Sequence, residues 1–183
     1  MSPTGRRPRL LIATRSSHKL GELRDLLQLE RAELVSLDDL GVEGDVDETG
    51  STFEANARLK ARHGARLTGL PTLADDSGLE VAALNGGPGV RTRRYAGEHA
   101  TDAENNTKLL AALAGLPAER RTARYVCVLA LALPEQAGSR GGLPVRIVRG
   151  TCDGRTEPSG SRRSIWPRSA APASLGSSCR TTR

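Results

Sequence analysis

Leu73-Ala74-Asp75-Asp76-Ser77-Gly78-Leu79-Glu80-Val81, LADDSGLEV, reads as a short apolar strand with two adjacent carboxylates set into it. Successive side chains of an extended strand point to opposite faces, so Asp75 and Asp76 share one small pocket only if the chain turns at that point. Ser77-Gly78 supplies the expected turn, because glycine tolerates backbone angles that a Cβ forbids. Two readings of the acids stand side by side: a strand ending in an Asx turn, or a strand-end carboxylate that binds a divalent metal or acts as a general base.

Outward from this stretch, strands and helices alternate. Short strands are expected at Thr72–Ala74 and Leu79–Val81, and GGPG at Gly86 to Gly89 marks a sharp turn. Upstream, a helix is expected from Thr52 to about Leu67, capped by Ser51 or Thr52 and followed by Gly69. Further upstream, RLLIA (Arg9 to Ala13) suits a buried strand, TRSSHK a loop, and KLGELRDLLQL a helix with Leu20, Leu23, Leu26 and Leu27 at helical spacing. Downstream, Thr101 with Asp102 and Glu104 opens a helix that runs through Leu113. RYVCVLALAL (Arg124 to Leu133) is the strongest strand, and another is expected at Val145 to Val148. The alternation gives an α/β layered domain whose sheet need not be purely parallel.

A chain of 183 residues is the size of one domain with a real core. It contains no run of about 18 apolar residues, and MSPTGRRPR leads into a strand rather than a signal-peptide core, so a cytoplasmic protein without a membrane segment is expected. Cys127, Cys152 and Cys179 are widely spaced and odd in number, which fits neither a disulfide framework nor a zinc site. The net charge is +6, but Arg162, Arg163, Arg168, Arg180 and Arg183 against Glu157 hold most of it, leaving the rest of the chain near neutral. With aromatics at 2%, a nucleic-acid partner is not expected, since stacking and phosphate contacts carry such binding.

The polar loop Thr14, Arg15, Ser16, Ser17, His18, Lys19 runs into a helix N-terminus, where free backbone N–H groups favour an anion and Lys19 is a ready phosphate contact. It lacks the glycine spacing of a P-loop, so a solvated junction is the alternative. Asn56 and Lys60 are four apart on one helix face, opposite much of the Leu/Ala pattern, and such a pair is more often surface. Asp45, Asp47 and Glu48 precede that helix as dipole compensation or, with Asp75 and Asp76, as the oxygen ligands that Mg²⁺ prefers while it bridges phosphates. Lysines, hydroxyls and separated carboxylates are the parts of phosphate-ester chemistry on a nucleotide.

ATRSSHKLGELRDLL, DETGSTFEANARLKARHGARLTGLPTLADDSGLEV, LNGGPGVRTRRYAGEHATDAENNTKLLAAL and ARYVCVLALA together resemble the successive motifs of the inosine/xanthosine triphosphate pyrophosphatases, the HAM1-like group, from about Arg9 to Gly154. ADDSGL with FEANAxxKA is the specific part. The resemblance implies a two-lobed α/β fold around a long mixed sheet, a homodimer, and Mg²⁺-dependent hydrolysis of ITP, dITP and XTP to monophosphate and pyrophosphate. It makes Asp76 the general base and places Glu48 and Asp76 at Mg²⁺. Lys19 and Lys60 neutralise the triphosphate, and Thr14, Ser16 and Ser77 contact substrate, with Arg15, Ser17 and His18 in the same substrate-binding loop.

Three departures stand out. Ser16 replaces the asparagine common in the first motif, and Arg93 stands where the family often has alanine. After Gly154 the family's GFGYDP-like loop, its lysine and its Ser-His-Arg cluster are missing, and with them the polar pairing that discriminates a 6-keto purine. Residues 1–155 are therefore expected to form a truncated pyrophosphatase domain, with impaired hydrolysis. Residues 156–183, poor in bulky apolar side chains and rich in Ser, Arg, Pro and Ala, are expected to be a disordered, aberrant tail, read as the product of a frame shift near Thr156. The alternative is a non-catalytic protein that binds nucleotides or acidic partners.

Overall fold

The structure is a computed structural model and describes residues 7–14, 17–44, 46–134, 143–156 and 179–182. Its strands are β1 (Arg9–Ile12), β2 (Glu33–Ser36), β3 (Thr72–Val81), β4 (Thr122–Ala132), β5 (Val145–Arg155) and β6 (Cys179–Thr182). Its helices are α1 (Ser17–Leu27), α2 (Phe53–Thr68) and α3 (Asp102–Ala112). The six strands form one sheet in the order β2-β1-β3-β4-β5-β6. β1 runs parallel to β2, pairing Leu11 with Val35, and parallel to β3, pairing Leu11 with Thr72. β5 and β6 are antiparallel, so the sheet is mixed, as the sequence resemblance implies.

The chain divides into two compact units, each assembled from separated segments. The first takes Met1–Gly50, Glu54–Asp75 and Leu129–Ile147, and the second takes Ser51–Phe53, Asp76–Val128 and Val148–Arg183. Composition shows no boundary because no linker separates them: β3, β4 and β5 each contribute residues to both.

In the first unit the core gathers Leu11, Val35 and Leu37, with Leu40, Val42 and Leu70 packed against them. α2 turns a narrow face inward, burying Ala57, Ala61 and Ala65. A Cβ on Gly64 would come within 2.8 Å of Thr72 Cγ2 and 3.0 Å of Leu11 Cδ2, so the helix lies closer to β1 and β3 than a larger residue allows. The leucine pattern misleads here. Leu67 is 54% exposed, and in α1 Leu20 is buried whereas Leu26 is 77% exposed. α2 ends as expected, at Gly69 with φ +66°, whose N–H donates to the Ala65 carbonyl.

In the second unit Leu79, Val81, Leu109 and Leu113 form the core, joined by Ala83, Leu84, Tyr95, Leu116 and Ala123. α3 is fixed at its start by a capping box: the Thr101 hydroxyl accepts from the Glu104 N–H, and the Glu104 carboxylate accepts from the Thr101 N–H at 2.7 Å. These bonds, the backbone one foremost, hold the Glu104 carboxyl below its ordinary value of 4.5. A lowered carboxyl pKa contributes stability that is present above the unfolded value and lost as pH falls through the folded one. Thr101→Ala removes the hydroxyl bonds and keeps the backbone one, so the variant is expected to be less stable through loss of its N-cap, with only the share carried by the hydroxyl–carboxylate bond depending on pH. Urea titrations at falling pH should show the gap from wild type narrowing once the medium drops below the usual glutamate range.

Within the expected tail, Cys179–Thr182 is a strand whose partners run from Arg149 to Cys152. Thr156 is also buried, its N–H donating to the Arg121 carbonyl at 3.0 Å. Residues 157–178 and 183, and the disorder expected of them, lie outside the described residues. β5 also continues well past the expected Val148, to Arg155.

Candidate active site

β3 decides the fate of the paired acids. It is one continuous ten-residue strand through Ser77 and Gly78, not two strands joined by a turn. Burial alternates from Thr72 through Asp76, so Asp75 and Asp76 project to opposite faces, as a straight strand requires. Gly78 is there for space: a Cβ would lie 2.5 Å from Thr92 Oγ1 and 2.7 Å from the Gly89 carbonyl oxygen. The expected turn is therefore corrected to a close backbone approach.

In the first unit, Asp75 is the meeting point of the two lysines singled out by sequence. Lys19, in the first turn of α1, places Nζ 2.6 Å from Asp75 Oδ2. Lys60, in the middle of α2, donates from Nζ to the Asp75 main-chain carbonyl at 3.1 Å and lies 2.8 Å from Glu48 Oε1. The Asp75 and Lys60 side chains are 14% and 17% exposed, whereas Lys19 and Glu48 are about a third exposed, so the cluster has a withdrawn inner half, where charges interact more strongly, and an outer half open to water. A lysine ammonium carries three N–H donors.

Thr14 follows β1, its N–H donating to the Ile12 carbonyl, while the Ala13 N–H beside it donates to Leu73 of β3. The chain thus enters the loop before α1 from a point tied to β3, two residues from Asp75. Ser17 and His18 begin α1, with their side chains outside the description, and Arg15, Ser16 and Asp45 lie outside the described residues.

α2 overturns the surface reading of Asn56 and Lys60. Asn56 is fully buried on the same face as Ala57 and Ala61, and its Oδ1 accepts the Gly50 N–H at 2.7 Å. The small residues, not the leucines, mark the packed face, so the pair lies with them. The signal was in the sequence: Asn56, Lys60 and Gly64 recur every four residues alongside alanines.

In the second unit, Asp76 is buried, 7% exposed, on β3. Ser77 beside it receives a hydrogen bond from the Tyr125 hydroxyl of β4, 3.2 Å to Oγ. Thr92 closes over the same strand, its Oγ1 accepting the Leu79 N–H at 2.8 Å and donating to the Gly89 carbonyl at 2.6 Å. Neither Tyr125 nor Thr92 is signalled by spacing; both are brought in by the sheet and by the segment Gly89–Arg94.

Among the described residues, no group of three or more His, Cys, Asp or Glu side chains converges on a point. Mg²⁺ does not demand one, since it is commonly held by one or two carboxylates with substrate phosphates and water filling the other positions. Glu48, an oxygen donor whose side chain is 31% exposed, fits that requirement.

A mixed α/β sheet whose third strand carries an aspartate met by two lysines, one at its carboxylate and one at its main-chain carbonyl, defines the class of protein. The chain belongs to the Ham1 family, whose profile matches residues 10–166, past the Gly154 limit of the sequence resemblance. It is 51% identical over 129 residues to the dITP/XTP pyrophosphatase of Nocardia farcinica, a match covering 69% of this chain and 63% of that protein. It is 46% identical over 147 residues to the protein of the same description from Exiguobacterium sibiricum, covering 80% and 71% respectively. A HAM1 protein from Coxiella burnetii superposes with TM-score 0.71 at 42% identity, over 81% of this chain and 72% of that one. The nucleoside-triphosphatase, or dITP/XTP pyrophosphatase, of Mycobacterium abscessus superposes with TM-score 0.69 at 45% identity, over 80% of this chain and 73% of that one.

Proposed function

We propose that the chain is a nucleoside triphosphate pyrophosphohydrolase that cleaves non-canonical purine substrates, ITP, dITP and XTP, to the monophosphate and pyrophosphate. The observation that carries this is the convergence of Lys19 and Lys60 on Asp75, which holds two ammonium groups in place before a polyphosphate arrives. Lys19 and Lys60 bind the triphosphate, Thr14 and Ser16 contact it from the loop before α1, and Ser77, oriented by Tyr125, contacts it from β3. Asp76 is the general base and takes the proton of the attacking water. Mg²⁺, with Glu48 and Asp76 as carboxylate ligands, supplies charge neutralisation on the phosphate oxygens when bound. The same reading takes a second copy of the chain as partner and the cytoplasm as compartment. No described helix is long and apolar enough to cross a membrane.

The test is pyrophosphate release by the purified chain from dITP and XTP, with dGTP as comparison, in Mg²⁺. Slow Mg²⁺-dependent release from dITP and XTP is expected, with little discrimination against dGTP, given the base-binding motifs absent from the sequence after Gly154. Triphosphate binding without any release would replace this reading with the non-catalytic one.

Lys19→Ala and Lys60→Ala are each expected to weaken triphosphate binding more than monophosphate binding, because a point cation gains most from the added phosphate charge. Calorimetric titration with both ligands measures this. Equal losses for the two ligands would take the lysines off the distal phosphates.

A further inference from the structure

The segment that carries Glu48 has no regular secondary structure, yet it is tied to α2 through Lys60 and through Asn56. Glu48 is held 2.8 Å from Lys60, and two residues later the Gly50 N–H is held 2.7 Å from Asn56 Oδ1. Asn56 and Lys60 stand one helical turn apart on one face, so the helix presents two fixed anchors at the spacing of Glu48 and Gly50. Asn56 is fully buried, which removes water as a competing donor to its amide oxygen. Gly50 is fitted to this acceptor, since a Cβ there would lie 2.5 Å from Asn56 Oδ1 and 2.8 Å from the Ala55 Cβ. A larger residue at 50 would have to push the segment away from α2.

We propose that Asn56 is a positioning residue for Glu48: by fixing the Gly50 amide it sets the height at which the Glu48 carboxylate stands over α2, and so its readiness to take a divalent cation. Asn56 touches neither substrate nor water in this role. The functional half of the inference rests on the proposed metal-assisted hydrolysis, whereas the clamp itself does not. The alternative is that Asn56 only satisfies a buried donor, in which case its removal would leave the Glu48 carboxylate where it stands.

Two variants separate these. Asn56→Leu removes the acceptor at similar size, and Gly50→Ala displaces the segment while leaving α2 untouched. Amide hydrogen exchange and Mn²⁺ binding, with the metal alone as probe, are measured on the full chain. In both variants exchange of the amide at position 50 should rise at least tenfold and Mn²⁺ affinity fall at least tenfold, while amides in the middle of α2 keep their protection. Unchanged exchange at position 50 in both variants would overturn the clamp. Faster exchange with unchanged Mn²⁺ affinity would overturn the positioning role and leave the metal reading standing. A wild-type chain that binds no Mn²⁺ would instead refute the proposed metal site, and the positioning role with it.

Discussion

Asp76→Asn is expected to lower kcat for Mg²⁺-dependent pyrophosphate release from dITP and XTP by at least ~100-fold, the scale at which a positioned general base contributes. Asparagine has nearly the volume and shape of aspartate, and Asp76 is buried, so the packing of β3 is preserved while its negative charge and its capacity to accept a proton are lost. Two contributions vanish together if Asp76 is both base and metal ligand, so raising Mg²⁺ should recover little of the rate. Asp75→Asn is the informative companion. It keeps the main-chain carbonyl that Lys60 uses but weakens the 2.6 Å contact that holds Lys19, so its effect should fall on triphosphate KM rather than on kcat. Parallel assays of the two variants read this split directly. Equal kcat for Asp76→Asn and wild type would remove Asp76 from the chemistry, and a kcat collapse confined to Asp75→Asn would assign the base to the other face of the strand.

That two neighbouring acids have such different surroundings shows where sequence reading works and where it stops. The elements were legible: the apolar run at Arg9–Ile12, the capped helix after Thr101 and the long strand before Pro134 each announce themselves through local chemistry. β2, with only ELVS to mark it, was missed because it is four residues long and defined by its pairing to β1. The lysines were legible as cations, and Lys19 and Lys60 do meet. Their meeting on Asp75 was not, because it joins residues 56 and 15 positions apart through the packing of α1 and α2. Asn56 was misplaced for a related reason. The Leu/Ala pattern, read as a whole, puts the inner face of α2 opposite Asn56 and Lys60, whereas close packing against β1 and β3 selects the alanines and Gly64 and leaves Leu67 outside.

Gly78→Ala is expected to be the most destabilising single-methyl change in the second unit, costing about 3 kcal/mol or more. The glycine does not have a positive φ, so the loss does not come from backbone conformation. It comes from the absence of room: the added Cβ would lie 2.5 Å from Thr92 Oγ1, 2.7 Å from the Gly89 carbonyl oxygen and 2.9 Å from Phe53 Cε1. None of these is the free end of a flexible chain. Thr92 Oγ1 is fixed between the Leu79 N–H and the Gly89 carbonyl, so moving it breaks one buried and one part-buried hydrogen bond, and the Gly89 oxygen is backbone. β3 would have to separate from Gly89–Arg94, carrying Asp76 and Ser77 with it, so activity should fall together with stability. Gly21→Ala in α1 is the control, since nothing lies within 4 Å of the position its Cβ would take. There the better helix former should raise stability by up to about 1 kcal/mol. Urea unfolding of both variants gives the comparison. A Gly78→Ala midpoint close to wild type would mean that Gly89–Arg94 yields to the added methyl, and that the close approach of Thr92 is not what requires glycine at this position.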